Sequence, residues 1–219
     1  MSVQTLDYIE AVDHLPADST LTLPRVTWED FEFLAAELGD RRDVRLSYHQ
    51  GRMEIIMPSP EHEEYVDLIQ DLTRLLVREL GLRLESRRTA LLKRELREAG
   101  AQPDGCFYIQ NAAKIIGKRE IDLSSDPPPD IVVEVDLSSG SLGKFPIYAA
   151  LGVPEIWRYD SATFEMRRLA GLEYLEAKTS RAFPFLTAAV MAEMLEQSKL
   201  IGQDEALENF RLWIQQHKP

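Results

Sequence analysis

Apolar positions recur along the chain with two periods, and the switches between them mark out the elements. Val44, Leu46 and Tyr48 alternate with polar residues, Gln50-Gly51 interrupts, and Met53, Ile55 and Met57 alternate again; this predicts a hairpin over 44–57. Ahead of it, Trp28, Phe31, Leu34, Ala35 and Leu38 recur at helical spacing behind the capping pair Thr27 and Asp30, with Gly39 closing the helix. Behind it, Pro58 ends the strand, Ser59 sits as an N-cap and Pro60 opens the first turn. Tyr65, Ile69, Leu72, Leu76 and Leu80 then predict a helix that Gly81 stops. Strand-like pieces follow at 82–86, 89–94 and 105–109, and the best patterned segment of the chain is DIVVEVDL, Asp130–Leu137. A short helix near 145–151 ends at Gly152. The segments 154–159, 164–169 and 174–177 read as a meander, and the chain from Thr187 on is helical in two pieces divided by Gly202. The mixture predicts an α/β fold, a central mixed sheet flanked by helices. The first 24 residues are polar, carry Pro16 and Pro24, and are expected to run along the surface.

The strand DIVVEVDL holds the anomaly. Alternate residues of a strand share a face, so Ile131, Val133, Val135 and Leu137 form a purely apolar face that must be core. The other face carries Asp130, Val132, Glu134 and Asp136. Two carboxylates two residues apart repel, and a buried one needs a cation or a proton. Two explanations stand. Either the strand lies at an edge with Glu134 and Asp136 solvated, or a hard divalent cation such as Mg²⁺ is held there by oxygen ligands. A second Pro-Asp pair, Pro103-Asp104, opens another strand and supplies a further acid.

Composition narrows the partners. There are 25 Lys and Arg against 37 Asp and Glu, a formal charge of −12, which repels phosphate at long range and argues against a sequence-independent nucleic-acid coat, while leaving room for a local basic cleft. The densest basic cluster is Arg87, Arg88, Lys93 and Arg94, either a solvated face or a place to receive a backbone. The single Cys106 rules out a disulfide framework and a multi-cysteine zinc site, and is expected in the core. No secretory signal and no membrane-spanning run is visible, so the expected location is the cytoplasm.

Asp104 in a Pro-Asp pair and Glu134 in VVEVD thirty positions later resemble the PD-(D/E)xK nuclease pattern. The segments GRMEIIMPSPEHEEYV, QPDGCFYI, PPDIVVEVDLSSGSLGKFPIYAALGVPEIWRYD and FPFL, in that order, resemble the Uma2 family of restriction-endonuclease-like proteins over roughly residues 27–195. The resemblance implies a restriction-endonuclease-like fold for 27–195, with 1–26 as an N-terminal extension and 196–219 as a C-terminal helical one. It implies a hydrolase: an endonuclease using Mg²⁺ or Mn²⁺ on nucleic acid, DNA foremost. Asp104 and Glu134 are the implied metal ligands, and Lys144 the basic group near the scissile phosphate. The plain motif has a lysine two residues after Glu134. Here that residue is Asp136, which becomes a candidate third metal ligand, and Lys144, after the turn SSGS, becomes the candidate cation. If Lys144 is catalytic, its loss is expected to lower kcat about a hundredfold while barely moving metal binding or melting temperature.

Two accessory residues are weighed. Glu54 in RMEIIM is either a solvated hairpin residue or an extra acid of the site. His62, in the first turn of the long helix, is either a packing histidine or a proton shuttle or phosphate contact. Tyr148 either packs over the site or, as an aromatic at helical spacing, belongs to the core. The meander 155–177 offers an edge for a homodimer. The rival to the nuclease is a non-catalytic binding or assembly protein that keeps the fold, favoured by the missing lysine at 136 and by the acidic surface.

Overall fold

The computed structural model describes residues 3–38, 41, 43–137 and 141–219. In chain order the elements are α1 (Val3–Asp13), β1 (Ser19–Pro24), α2 (Trp28–Leu38), β2 (Arg45–His49), β3 (Arg52–Met57), α3 (Pro60–Glu79), β4 (Glu85–Ser86), β5 (Leu92–Arg94), β6 (Ala99–Ala101), β7 (Gly105–Tyr108) and α4 (Ala112–Ile115). Then come β8 (Ile131–Val135), α5 (Phe145–Leu151), β9 (Glu155–Tyr159), β10 (Phe164–Ala170), β11 (Glu173–Glu176), α6 (Ala188–Ile201) and α7 (Gln203–His217). The SSGS turn falls largely, and Gly39 wholly, outside the described residues.

The expected mixed sheet is present, and a second, antiparallel sheet accompanies it. A mixed sheet runs β11-β10-β9-β8-β7-β4, and its β8–β9 pair is parallel, joined through α5; an antiparallel sheet runs β1-β3-β2-β6-β5. The hairpin β2–β3 turns at Gln50 and Gly51, with φ of 47° and 85°; two left-handed residues match the twist of a tight hairpin. One unforeseen strand is β6, whose Ala-Gly-Ala sequence carries no alternating pattern. It is buried because the Phe31 ring lies on it: a Cβ at Gly100 would sit 2.7 Å from the ring.

The opening residues also differ from expectation. β1 pairs with β3 along its full length, from Ser19 opposite Met57 to Pro24 opposite Arg52, and Val12 and Leu23 are buried. The alternation Thr20-Leu21-Thr22-Leu23 is a strand pattern, and Pro24 is tolerated because β1 is an edge.

The apolar face of β8 behaves as its pattern requires. Ile131, Val133 and Val135 pack with Ile69, Leu72 and Leu76 of α3, Met191 and Leu195 of α6, and Phe210 and Ile214 of α7. Val132 and Cys106 lie on the other face, in a separate cluster with Tyr148, Leu151 and Ile156. A third cluster fills the space between the second sheet and α2. β8 is thus a central strand covered on both sides, which removes the explanation that Glu134 is solvated at an edge.

Candidate active site

Asp104 immediately precedes β7, and its backbone N–H donates to the Val133 carbonyl at 3.1 Å. The β7–β8 register ends with Gly105 opposite Val133, and Asp104 and Glu134 are the next residues along the two strands. Both line one cavity, and the charge of Asp104 acts on Glu134. Asp104 and Glu134 are 3% and 1% exposed.

These acids have basic partners within the protein. Lys144 Nζ lies 2.7 Å from Glu134 Oε2, and the Tyr148 hydroxyl donates to Glu134 Oε1. Lys144 ends a single 3₁₀ turn, Ser141–Lys144, that runs into α5, so it and Tyr148, four residues apart, grip the two oxygens of one carboxylate. Asp104 Oδ2 accepts from the Val135 N–H at 2.9 Å and lies 3.0 Å from His62 Nε2, while Arg45 Nε lies 3.6 Å from Oδ1. Arg45 also reaches Glu63 Oε1 at 2.7 Å. His62 is fixed by the start of α3, where its backbone N–H donates to Ser59 Oγ at 3.2 Å. Its Nδ1 lies 3.4 Å from Glu63 Oε1, an ion-pair distance without hydrogen-bond alignment.

The charges follow from these contacts. Burial opposes a charge on His62, but Asp104 and Glu63 outweigh it and push its pKa up to about 9, so the imidazole is protonated at neutral pH. Burial would raise Asp104, yet the His62 hydrogen bond and charge, with Lys144, hold it below the ordinary carboxylate range. Glu134 is raised, by burial first and by the neighbouring Asp104, with Lys144 and Tyr148 acting against the shift. Lys144 is raised although burial works against its charge, because Glu134, Asp104 and Asp136 surround it. The cluster holds three cations, Arg45, His62 and Lys144, around the two acids in a chain of −12.

A cavity of about 20 Å³ opens among Arg45, His62, Asp104, Glu134, Asp136 and Lys144. That is room for one water-sized group. Two buried carboxylates facing it are hard oxygen donors of the kind that hold Mg²⁺ together with substrate phosphates, so the donor chemistry fits a divalent ion bound by Asp104 and Glu134. Among the described residues no group of three or more His, Cys, Asp or Glu side chains is placed to hold a metal. Asp136 lines the cavity, but its carboxylate is taken by Arg158 Nε at 2.5 Å, from the parallel neighbour β9.

The remaining candidates separate. Glu54 is not brought to the site; it lies opposite Thr22 and Ser47 and is bonded to Arg52 at 2.7 Å. Arg87 donates to the Ile115 carbonyl, Arg88 meets Asp67, Lys93 meets Glu32 and Arg94 donates to the Leu123 carbonyl, so the basic cluster is engaged within the chain. Asp130, the acid of the second Pro-Asp pair, accepts from the Ile109 and Asn111 N–H groups and from Asn111 Nδ2. The expectation that losing Lys144 leaves stability untouched is also corrected. Removing one partner of a buried ion pair costs about 3–5 kcal/mol.

Sequence reasoning missed Arg45 and the role of the Tyr148 hydroxyl. The spacing from Lys144 to Tyr148 was a usable sign, since residues four apart share a helix face. Arg45 gave none: alternation in VRLSY assigns it to the face away from Leu46, and only packing decides that this face is also covered.

The Uma2 family model, described as "Putative restriction endonuclease", matches residues 28–196 of the 219. The chain belongs to the Uma2 family. No curated protein matches it. The span matched to Uma2 contains Arg45, His62, Asp104, Glu134, Lys144 and Tyr148, while α1 and β1 lie before it and α7 after it. Among the described residues no helix is long and apolar enough to cross a membrane.

Proposed function

We propose that this Uma2 protein is a divalent-metal-dependent nuclease that hydrolyses phosphodiester bonds, DNA being the foremost substrate. The observation that carries the reading is the convergence of Asp104, Glu134 and Lys144, from three separate segments, on one buried cavity. Asp104 and Glu134 would hold Mg²⁺ or Mn²⁺. Such an ion, when bound, polarises the phosphate and lowers the pKa of a bound water. The chain's own groups do the rest. Lys144 supplies a mobile point charge for a phosphate oxygen. Arg45 adds positive charge beside Asp104. His62, as an imidazolium, donates to Asp104 and fixes its orientation; in that state it accepts no proton. The cavity is lined by Arg45, His62 and Lys144 as well as by Asp18, Asp104, Glu134 and Asp136, so the three cations offset part of the negative charge that repels a polyanion.

Purified protein incubated with plasmid, single-stranded DNA and RNA plus Mn²⁺ is expected to cut at least one of them. Cleavage is expected to stop with chelator and to weaken as salt rises, because the phosphate contacts release counter-ions. Full activity in an Asp104→Ala, Glu134→Ala double variant would assign the cleavage to a contaminant. No cleavage of any substrate would favour the non-catalytic reading, whose support is that both carboxylates are already neutralised by the protein's own cations. A homodimer through the edge strand β11, where Leu172 and Leu175 are exposed, is part of the proposal and is read from the molecular mass in solution.

A further inference from the structure

We infer that Lys144 sets the ion affinity of the site: its ammonium occupies the place at Glu134 that a divalent cation takes, so the two compete, and binding of the ion releases Lys144 into the cavity mouth where a phosphate arrives. The inference rests on the nuclease reading for the presence of an ion, and it says how the ion and the lysine are linked.

Lys144 and Glu134 have side chains 5% and 1% exposed and meet at 2.7 Å, so one fixed carboxylate oxygen is spent on one ammonium. The other oxygen receives the neutral Tyr148 hydroxyl. The adjoining cavity of about 20 Å³ holds one water-sized group. An ion entering it beside an undisplaced ammonium would place two cations against one carboxylate in a poorly screened interior, where like charges repel strongly.

Of the three site cations, Lys144 is the one built to leave. Arg45 is held by Glu63 and by the Val44 carbonyl as well as by Asp104. His62 is part of the first turn of a 20-residue helix and is tied there through Ser59. Lys144 has a flexible four-carbon stem, and its hydrogen-bond acceptor among the described residues is Glu134. It stands at the end of the short 3₁₀ turn Ser141–Lys144 and not in the body of a long helix. The displaced ammonium then becomes available to a phosphate only when the ion is present. This would keep a metal-free site from capturing polyanions through Lys144.

The test measures Mn²⁺ binding by calorimetry to wild type, Lys144→Met, Lys144→Arg and a charge control, Lys118→Met, whose lysine pairs with Asp126 away from the site. Lys144→Met is expected to bind Mn²⁺ at least about tenfold more tightly than wild type, equivalent to about 1.4 kcal/mol. Lys144→Arg is expected to bind no more tightly than wild type, and Lys118→Met to stay within about twofold. Release is read on the wild-type protein itself by reductive methylation and peptide mass spectrometry. Lys144 is expected to be labelled slowly without metal and about fivefold faster or more in saturating Mn²⁺, as burial of the amine is relieved. If Lys144→Met does not fold, the labelling experiment decides alone. Wild type that binds Mn²⁺ and cuts nucleic acid, with unchanged Lys144 labelling, overturns the competition and leaves the nuclease standing. Wild type that neither binds Mn²⁺ nor cuts overturns both.

Discussion

Pro103-Asp104 and Pro129-Asp130 are the same dipeptide, placed at the starts of neighbouring antiparallel strands, and both aspartates are 3% exposed. Because the strands run in opposite directions, the pairs lie at opposite ends of the β7–β8 ladder. At one end Asp104 shares a cavity with Glu134 and is surrounded by His62, Arg45 and Lys144, groups that carry or exchange charge. At the other end Asp130 is held by two backbone N–H groups and the Asn111 amide, none of which titrates. The contrast teaches that burying a carboxylate is not in itself a mark of chemistry. Amide donors make it a brace for a turn; charged partners around a cavity make it a candidate site.

The largest expected difference between the two ends is in rate. Asp104→Asn is expected to lower kcat about a thousandfold by weakening the hold on the ion whose charge would stabilise the transition state, while Asp130→Asn changes cleavage by the folded protein less than about twofold. A matching loss in both variants, measured on the same substrate, would erase the distinction. The next effect runs the other way, in stability. Asp130→Ala removes three hydrogen bonds to a carboxylate. It is expected to cost about 3 kcal/mol, or about 6–12 °C in Tm, by urea and thermal unfolding.

The pH dependence should mark the Asp104 end. The pKa of His62 is raised from an ordinary 6.5 to about 9 in the fold, so its contribution to stability is full below about pH 6.5 and is lost as pH rises through about 9. Urea unfolding of the metal-free protein at pH 6 and pH 9.5 is expected to show a loss in wild type that His62→Gln reduces. An identical loss in the variant would remove His62 as the cause. The smallest effect is at Glu54, whose partner is the exposed Arg52. Glu54→Gln should change stability by less than about 0.5 kcal/mol and leave cleavage unchanged, and a substantial drop in cleavage would return this residue to the site.

Much of the fold was legible from local pattern. The β2–β3 hairpin, the Ser59 cap of α3, the apolar face of β8, α5 ending at Gly152 and the division of α6 from α7 at Gly202 depend on residues near each other in the chain. Of the elements that were missed, β1 carried an alternating pattern of its own, and β6 carried none. β6 is Ala-Gly-Ala and becomes a strand because β2 and β5 flank it and Phe31 covers it. The site was legible as a pair of acids and a lysine, and illegible as a charge network. Lys144 was legible as a candidate cation for a phosphate, and its burial against Glu134 was not.

By itself the sequence determined which residues share a face, because a period of two in DIVVEVDL or four residues from Lys144 to Tyr148 is backbone geometry and needs no partner. Tertiary structure alone decided which acids acquire cations. Arg45 comes from the second sheet, His62 from the cap of α3 and Arg158 from β9. Charge pairing depends on distance and burial. Those are set when the two sheets and α3 close on β8: they put Arg45 and His62 on Asp104 and Lys144 on Glu134, and leave Asp136 to Arg158.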